Sequence, residues 1–420
     1  MNRKKTPCSL FGLTTLVCAV AFTLFTIPPI YAQVPAGPNR PSTVPEEYVR
    51  TPFGYFHPTC VKHLMAGDIL RKDEGLIQHA DGSFDSMQAC SYPHYDSKGK
   101  VFANTQAPDK PPTISHSWIV AESVTTSSSF GKLGADWTVP RTPTSNDDQT
   151  LYFFPGMEDY SDVISIIQPV LGWNADYIDA WGIASWNCCI SGTTYESSPA
   201  RVNSGDGILG TMQSTCSPGT LTCASWNITT EDVTSGQSTL LSESSSDGQT
   251  FNWAFAAALE VYNIVQCSDY PPDGSTTFSN LALYDDNFDQ ISSPGWLLDN
   301  WSSGLTPQCG YGGQGSATQA TLNYSTPQAE APTNSGSYTT FGQDYPTITF
   351  TINLYDSTLG AEIYWQVAGC SGSTSGSSPV SSGGSFTLVY QSGSNCNPSG
   401  TMYATAPGYA QSATVPIDFP

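Results

Sequence analysis

Residues 151–186 read LYFFPGMEDYSDVISIIQPVLGWNADYIDAWGIASW, and this stretch decides the fold that the sequence predicts. Apolar and aromatic runs alternate within it with Gly, Pro, Asn and Asp, a pattern typical of short β-strands joined by turns. One polar residue, Gln168, lies next to an apolar run. A buried amide without hydrogen-bond partners costs about 1–3 kcal/mol, so we expect Gln168 to have a partner elsewhere in the chain. The candidate is Glu260, in the run 251–262, FNWAFAAALEVY.

Short β-type runs continue on both sides of this stretch, from residue 117 to residue 265, at spacings near ten residues. No helical periodicity interrupts them. Regularly spaced strands without helices indicate a sandwich or a barrel. We therefore predict an all-β fold in which residues 113–310 form a two-sheet, concanavalin-like jelly-roll sandwich.

The chain begins with features of a secretion signal. Arg3, Lys4 and Lys5 precede an apolar stretch, and Ala32 closes a plausible cleavage site, so residues 1–32 are predicted to be a signal peptide. A retained membrane anchor is the alternative. The expected product is secreted, with no membrane attachment after cleavage. Residues 33–112 are rich in proline and have weak strand signals, and we interpret them as a prosegment or an N-terminal extension.

Beyond the main domain, residues 311–337 are rich in Ser, Thr, Gly and Gln and are predicted to be a linker. The run 347–354, TITFTINL, then alternates strictly between polar and apolar residues, which indicates a half-buried strand. Residues 338–420 are expected to form a small β-sandwich. The phrases GAEIYW at 360–365 and GTMYATAPGY at 400–409 resemble the immunoglobulin-like module at the C-termini of chitobiases.

Ten cysteines follow the signal, an even number that favours disulfides in an exported chain. Pairing between neighbours in sequence would join Cys60 to Cys90, Cys216 to Cys223, Cys267 to Cys309, and Cys370 to Cys396. Cys188 and Cys189 are left over, either as a vicinal bridge or in two longer links. No Cys-x-x-Cys repeat supports zinc, and we predict no metal site.

The charge of the chain is strongly negative and unevenly distributed. The formal net charge of −22 becomes −25 once the signal is removed, and no Lys or Arg follows Arg201. Such a surface repels nucleic acids and anionic membranes, so neither is an expected partner. A composition poor in bases also suits a working pH near the pI of about 4.2, although ordinary solubilising charge is the simpler explanation.

Several kinds of catalysis are excluded by composition. No histidine follows His116, so a serine or cysteine nucleophile in the main domain would lack its usual base. There is no Gly-x-Ser-x-Gly elbow and no phosphate-binding loop. Carboxylates, amides and water remain. If β-alternation is regular, Glu260 shares a face with Ala254, Ala256, Ala258 and Tyr262, which leaves room for a substrate.

A family resemblance runs through the same residues. SWIVA at 117–121, WTVP at 137–140, IIQ at 166–168, ALEVYNIV at 258–265 and FSN at 278–280 occur in the order of the eqolisin-type glutamic peptidases. The resemblance covers residues 116–285. It implies a secreted acid endopeptidase that needs no cofactor, with Gln168 polarising the oxyanion and Glu260 as general base. The implied substrate is a polypeptide, and we expect a monomer.

The side chains expected to support this dyad or to contact substrate are Phe154, Glu158, Trp181, Trp186 and Tyr262. The chain departs from the family in three places: Pro169 directly follows the glutamine, Gly172-Trp173 stands where a supporting acid is usual, and Glu158 replaces an aspartate. Pro169 lacks a backbone donor and predicts a strand edge or a bulge. The neprosin peptidases, with glutamate in both catalytic roles, are a more distant resemblance.

Two other functions remain open on the residues alone. A jelly-roll glycoside hydrolase would use Glu158 and Glu260 as its pair of carboxylates, with Phe154, Trp181 and Trp186 stacking on sugars. A non-catalytic exported binding protein would use the same aromatics as core. The fold by itself does not decide among the three.

Overall fold

The computed structural model describes residues 40–71, 74–87, 89–102, 117–161, 166–189, 192–303, 305–325, 332–336, 347–351, 361–369, 372–380, 385–389, 399–405, 411–412 and 414–417. The expected signal peptide and the expected Cys370–Cys396 bridge lie outside these ranges. Within them there is no α-helix, and no helix long and apolar enough to cross a membrane. The all-β prediction is confirmed.

Thirty strands are described, together with short 3-10 turns such as Pro58–Cys60 and Cys267–Asp269. The strands of the N-terminal region (residues 40–102) are β1 Val49–Thr51, β2 Gly54–Phe56, β3 Val61–Leu64, β4 Ile69–Arg71, β5 Leu76–Gln78, β6 Phe84–Ser86, β7 His94–Tyr95 and β8 Val101–Phe102. Those of the main domain are β9 Trp118–Thr125, β10 Phe130–Thr138, β11 Thr150–Glu158, β12 Ile166–Trp173, β13 Trp181–Cys188, β14 Thr194–Ser197, β15 Ala200–Val202, β16 Gly207–Ser214, β17 Ser225–Asp232, β18 Gln237–Ser245, β19 Trp253–Tyr262, β20 Ser275–Asp285, β21 Leu297–Asn300, β22 Gly312–Gly315 and β23 Ala320–Asn323. The C-terminal strands are β24 Thr333–Gly336, β25 Thr347–Thr351, β26 Ala361–Gly369, β27 Gly372–Val380, β28 Ser385–Val389, β29 Ser399–Thr405 and β30 Val415–Ile417.

Two large sheets form the main sandwich. The nine-stranded sheet has the order β21-β9-β19-β11-β12-β13-β14-β3, with β15 beside β13. The ten-stranded sheet has the order β22-β23-β20-β10-β16-β17-β18-β4-β5-β6. Their facing sides enclose one apolar core, to which β11 contributes Leu151, Phe153 and Met157, all fully buried. Alternation along each strand assigns these side chains to the inner face.

The outer face of the nine-stranded sheet is also buried. Tyr152 and Phe154 of β11 point to this face and join a second apolar cluster, which includes Tyr48, Tyr55 and Phe56 of the N-terminal region. The N-terminal region also extends both sheets, because β3 pairs in parallel with β14 and β4 pairs with β18. It therefore packs on the main domain and has no separate apolar cluster of its own among the described residues.

The passage expected to be a linker is partly strand. β22 and β23 pair with each other, and β23 continues the ten-stranded sheet by pairing with β20. Ala320, Leu322 and Tyr324 alternate inward and are fully buried. The linker prediction is therefore wrong for residues 312–325, because a polar composition concealed three inward-facing apolar residues at period two.

The C-terminal strands form two small sheets, β24-β25-β28 and β27-β26-β29-β30. The run 347–354, predicted to be a strand, forms β25 over Thr347–Thr351, and residues 352–354 lie outside the described ranges. Four disulfides are described: Cys60–Cys90, Cys216–Cys223 and Cys267–Cys309 as expected, and the vicinal pair Cys188–Cys189. Their number is consistent with an oxidising compartment.

Candidate active site

Gln168 and Glu260 lie on two strands that flank the same neighbour. β11 separates β12, which carries Gln168, from β19, which carries Glu260. Glu260 is directly opposite Tyr152 of β11, and Gln168 is opposite Trp186 of β13. Both side chains are fully buried. The fold therefore places the two predicted residues on the same sheet, two strands apart.

The carboxyl group of Glu260 is held by two hydroxyl groups. Ser117 Oγ donates to Glu260 Oε1 at 2.7 Å, and Tyr262 Oη donates to the same oxygen at 2.6 Å. Burial raises the pKa of Tyr262 well above its usual value, and the negative charge of Glu260 raises it further. Tyr262 therefore stays protonated and remains a donor. Two donors on one oxygen favour the ionised form of a carboxyl group.

The amide of Gln168 contacts the N-terminal region. Its Nε2 donates to the backbone carbonyl of Pro52 at 3.3 Å, and its Oε1 has no partner among the described residues. Pro52 lies in the turn between β1 and β2, where Thr51 pairs with Gly54. The ring of Tyr55, on β2, lies 5.3 Å from that of Tyr262 in an edge-to-face contact. This hairpin thus places a peptide carbonyl against Gln168 and an aromatic ring beside Tyr262.

Glu158, the predicted supporting acid, ends β11 and is 2% exposed. Burial raises its pKa to about 8, and the charge of Glu260 contributes to the same shift. Glu158 is therefore neutral in acid. Its electrostatic interaction with Glu260 supports the prediction that the two side chains are near each other.

The predicted aromatic residues separate into two groups. Phe154, Trp186 and Tyr262 belong to the outer cluster, on the face covered by the N-terminal region. Trp181 instead belongs to the core between the sheets, where its ring lies 5.3 Å from Trp173. Trp181 is therefore not brought to the site, although it lies on the same strand as Trp186. The odd spacing of five residues between the two tryptophans places them on opposite faces.

An irregularity in β19 changes the faces predicted from simple alternation. The pairing of β19 shifts register between Phe255 and Ala257. Trp253 and Phe255 consequently join the outer cluster, while Ala254 and Ala256 join the core. The expectation that Ala254 and Ala256 share a face with Glu260 is therefore wrong, because a bulge shifts the alternation by one residue, whereas Ala258 and Tyr262 stay on the outer face.

Pro169 has no backbone N–H and lies where the β11–β12 ladder is interrupted. The pairing of β12 with β11 is interrupted between Ile167 and Leu171, and Pro169 lies in that gap. On its other side it pairs with Ser185 of β13. Pro169 thus interrupts the ladder locally, and Gln168 stays in the sheet.

A second acidic group lies beside the predicted dyad. Glu196 on β14 is fully buried and opposite Trp186, and its Oε2 lies 3.0 Å from His63 Nδ1 of β3. Burial raises the pKa of Asp176 well above its usual value, as do the charge of Glu196 and a hydrogen bond to it. Burial lowers the pKa of His63. These residues were not predicted from the sequence, where the one local signal is an acid in the short β-type run 194–197.

The part of the chain that the structure describes contains no group of three or more His, Cys, Asp or Glu side chains arranged to bind a metal ion.

Comparisons with known proteins are limited to structure. Neither the models of known protein families nor the curated proteins gave a match. Solved structures that match include scytalido-glutamic peptidase with a peptide-based transition-state analogue, at 16% identity and a TM-score of 0.38, over 49% of this chain and 98% of that one. SCP-B, a member of the eqolisin family of peptidases in complex with the tripeptide Ala-Ile-His, matches at 18% identity and a TM-score of 0.36, over the same 49% and 98%. The FN1-FN3 domains of chicken CNTN1 match at 11% identity and a TM-score of 0.16, over 71% of this chain and 97% of that one. These scores are too low to identify a function.

Proposed function

We propose that this chain is a secreted acid endopeptidase in which Glu260 activates water and Gln168 stabilises the oxyanion. One observation carries the proposal: the side-chain amide of Gln168 donates to a peptide carbonyl, that of Pro52, at 3.3 Å. The same kind of contact is needed when a substrate carbonyl becomes negatively charged. Glu260, held by two hydroxyl donors one strand beyond β11, is the carboxylate that completes the pair.

The reaction requires only these two side chains and water. Ionised Glu260 accepts a proton from water, and the water oxygen attacks the carbonyl carbon of the substrate. Gln168 Nε2 donates to the carbonyl oxygen as it gains negative charge. The proton held by Glu260 then passes to the amide nitrogen, the C–N bond breaks, and a carboxylic acid and an amine leave. General-base catalysis and oxyanion stabilisation of this kind each raise the reaction rate on the order of 10²–10⁴-fold.

An acidic working pH fits the buried carboxyl groups. The pKa of Glu158 is raised to about 8, so this side chain is neutral in acid and adds no second negative charge beside Glu260. The resemblance described above implies the same pH range. Polypeptide is the substrate class, because the group that the site holds in this structure is a backbone carbonyl.

The N-terminal region blocks the proposed site, and we propose that residues 33–112 are a prosegment. The β1–β2 hairpin covers Gln168 and Tyr262, and Arg50 anchors it through Asp148 Oδ2 at 2.9 Å and Thr150 Oγ1 at 3.0 Å. A substrate needs the space that the hairpin fills. Activity would therefore follow removal or displacement of this region.

Substitution of the two residues tests the function. Glu260→Gln should abolish peptide hydrolysis, and Gln168→Ala should lower it on the order of 10²–10³-fold, the usual cost of one preorganised donor. Initial rates on casein and on β-glucan at about pH 3.5 are measured after incubation in acid, with a thermal melt of every variant. The exposed residues Glu243 and Gln237 provide matched controls, Glu243→Gln and Gln237→Ala. Full peptidase activity in folded Glu260→Gln would disprove the assignment.

A further inference from the structure

Ser117 is placed against the proposed general base although 143 residues separate them in sequence. It directly precedes β9 and is 1% exposed. Its backbone carbonyl accepts from the N–H of Val261, the residue after Glu260, at 2.8 Å. The pairing of β9 with β19 shifts register between Leu259 and Glu260, so that Ile119 is passed over. This bulge brings the hydroxyl group of Ser117 to Glu260 Oε1.

The contact matters because burial disfavours the ionised form of a carboxyl group. Glu158 lies on β11 and Glu122 on β9, the two strands that pair with β19. Burial raises the pKa of Glu158 to about 8 and that of Glu122 to about 7. Glu158 Oε2 and both carboxyl oxygens of Glu122 lack a hydrogen-bond partner among the described residues. Glu260 differs from them by accepting two hydroxyl donors on Oε1. Hydrogen bonds to the ionised form oppose desolvation.

The ionisable groups with a described electrostatic interaction with Glu260 are Tyr262 on its own strand and Tyr152 and Glu158 on β11. On the hairpin, Tyr55 contacts Tyr262 and Arg50 contacts Thr150. Burial raises the pKa values of all three tyrosines, so they stay neutral in acid, as does Glu158. Arg50 leaves with the N-terminal region if that region is displaced. Ser117 and Tyr262 are then the groups whose hydrogen bonds favour ionised Glu260.

We propose that Ser117 is a positioning residue for the reaction: its hydroxyl group, with that of Tyr262, keeps Glu260 ionised in acid and fixes the orientation of its carboxylate. The proposal rests on the peptidase function proposed above. Ser117 contacts the base and not the substrate. Its loss should therefore change the pH dependence of catalysis more than the affinity for peptide.

The test measures kcat/KM for a peptide substrate between about pH 2.5 and 6, using the full chain after incubation in acid. Ser117→Ala should move the acidic limb of the profile upward by about one pH unit, because one hydrogen bond to a charged group corresponds to a shift of that size. Activity should fall on the order of tenfold at the acidic end and approach that of the wild type near pH 6. KM should change little.

Two variants with side chains of equal size, Ser117→Thr and Ser117→Val, separate the effect of the hydroxyl group from the effect of packing. Ser117→Thr keeps the donor and should retain the acidic limb of the wild type, whereas Ser117→Val lacks it and should shift the limb as alanine does. If alanine prevents folding, the comparison of threonine with valine decides. Ser129 is a buried serine whose Oγ has no partner among the described residues, and Ser129→Ala is the control.

Two failures are distinguishable. A folded Ser117→Val or Ser117→Ala whose profile superimposes on that of the wild type would overturn the role of Ser117 and leave the peptidase proposal standing. An equal shift in Ser129→Ala would also overturn it, since any buried serine would then have the effect. If the wild type hydrolyses no peptide in acid, the peptidase proposal fails and the role of Ser117 fails with it.

Discussion

At the residue scale, two glutamates of the nine-stranded sheet are both buried but differ in their surroundings. Glu260 accepts hydrogen bonds from Ser117 and Tyr262, whereas burial raises the pKa of Glu158 to about 8. A carboxyl group that is neutral in acid is a poor general base but can act as a neutral neighbour. The two environments thus suit Glu260 to act as a general base and Glu158 to act as its neutral neighbour. Two acids in such different surroundings are not expected to be a symmetrical catalytic pair.

This difference predicts the effect of Glu158→Gln. The substitution replaces a neutral acid by a neutral amide of similar shape, so peptide hydrolysis at about pH 3.5 should fall less than about tenfold. Rates on casein and β-glucan are compared with those of Glu260→Gln. If Glu158→Gln and Glu260→Gln both abolish sugar release while Gln168→Ala does not, the glycoside hydrolase is the correct function. A protein without turnover on either substrate is the binding protein.

Gln168 and Glu260 could be predicted from the sequence because each is a polar residue at or within an apolar run. The family resemblance then implied their roles. Ser117 could not be predicted in this way, because its partner Glu260 is 143 residues away and no local pattern marks the serine. Trp181 was predicted to lie at the site from its aromatic character alone. That character does not distinguish the two faces of a sheet, whereas the alternation of side chains along the strand does. Parity itself failed in β19, where one bulge moved Trp253 and Phe255 to the outer face.

At the element scale, the β1–β2 hairpin is the part of the N-terminal region that meets the proposed dyad. Its position depends on long-range contacts, such as the parallel pairing of β3 with β14 and the ion pair of Arg50 with Asp148 at 2.9 Å. None of these partners is near in sequence. The sequence predicted a prosegment or an N-terminal extension here, but not that it covers the site, because composition does not specify register.

Arg50→Ala should weaken the hold of the hairpin. Arg50 is 5% exposed and its guanidinium donates to the carbonyl of Asp148 at 2.6 Å, so its loss removes several hydrogen bonds at once. Truncating one member of such a network commonly costs a few kcal/mol. The full chain should then hydrolyse casein in acid with a shorter lag than the wild type.

The exposed Arg71, whose Nε donates to Gln78 of the same region at 2.9 Å, gives the control Arg71→Ala. The lag and the N-terminal sequence of the product are followed through the incubation. An unchanged lag in Arg50→Ala would contradict the anchoring role. A wild type that keeps its entire N-terminus while fully active at about pH 3 would contradict the prosegment itself.

At the scale of the whole molecule, buried carboxyl groups link stability to pH. Glu122 is 1% exposed, and burial followed by the charge of Asp299 raises its pKa to about 7. A carboxyl group whose pKa is higher in the folded state favours folding while it is protonated. That contribution is complete below the unfolded pKa of about 4.3 and is lost as pH rises to about 7. Glu158 acts in the same direction.

The melting temperature should therefore decrease between about pH 4.5 and 8, and Glu122→Gln should reduce the decrease. The amide does not ionise and so avoids the cost of a buried charge. Thermal melts across this pH range compare Glu122→Gln with the exposed control Glu243→Gln, which should follow the wild type. Equal slopes in Glu122→Gln and the wild type would show that another group controls stability in this range.

The end of the main domain gives the last prediction. Tyr324 is fully buried, its Oη lies 3.0 Å from Thr276 Oγ1, and its ring lies 5.5 Å from that of Phe153. A chain that stops after Ser325 keeps β22, β23 and this tyrosine, so it should fold and retain peptide hydrolysis without the C-terminal sheets. A chain that stops after Gly310 keeps Cys309 but loses Ala320, Leu322 and Tyr324 from the core. Removal of large buried side chains costs several kcal/mol each, so the shorter chain should not accumulate in soluble form. Soluble yield, thermal melting and hydrolysis of casein are measured for both. Failure of the longer chain to fold would mean that the main domain shares its core with the C-terminal strands.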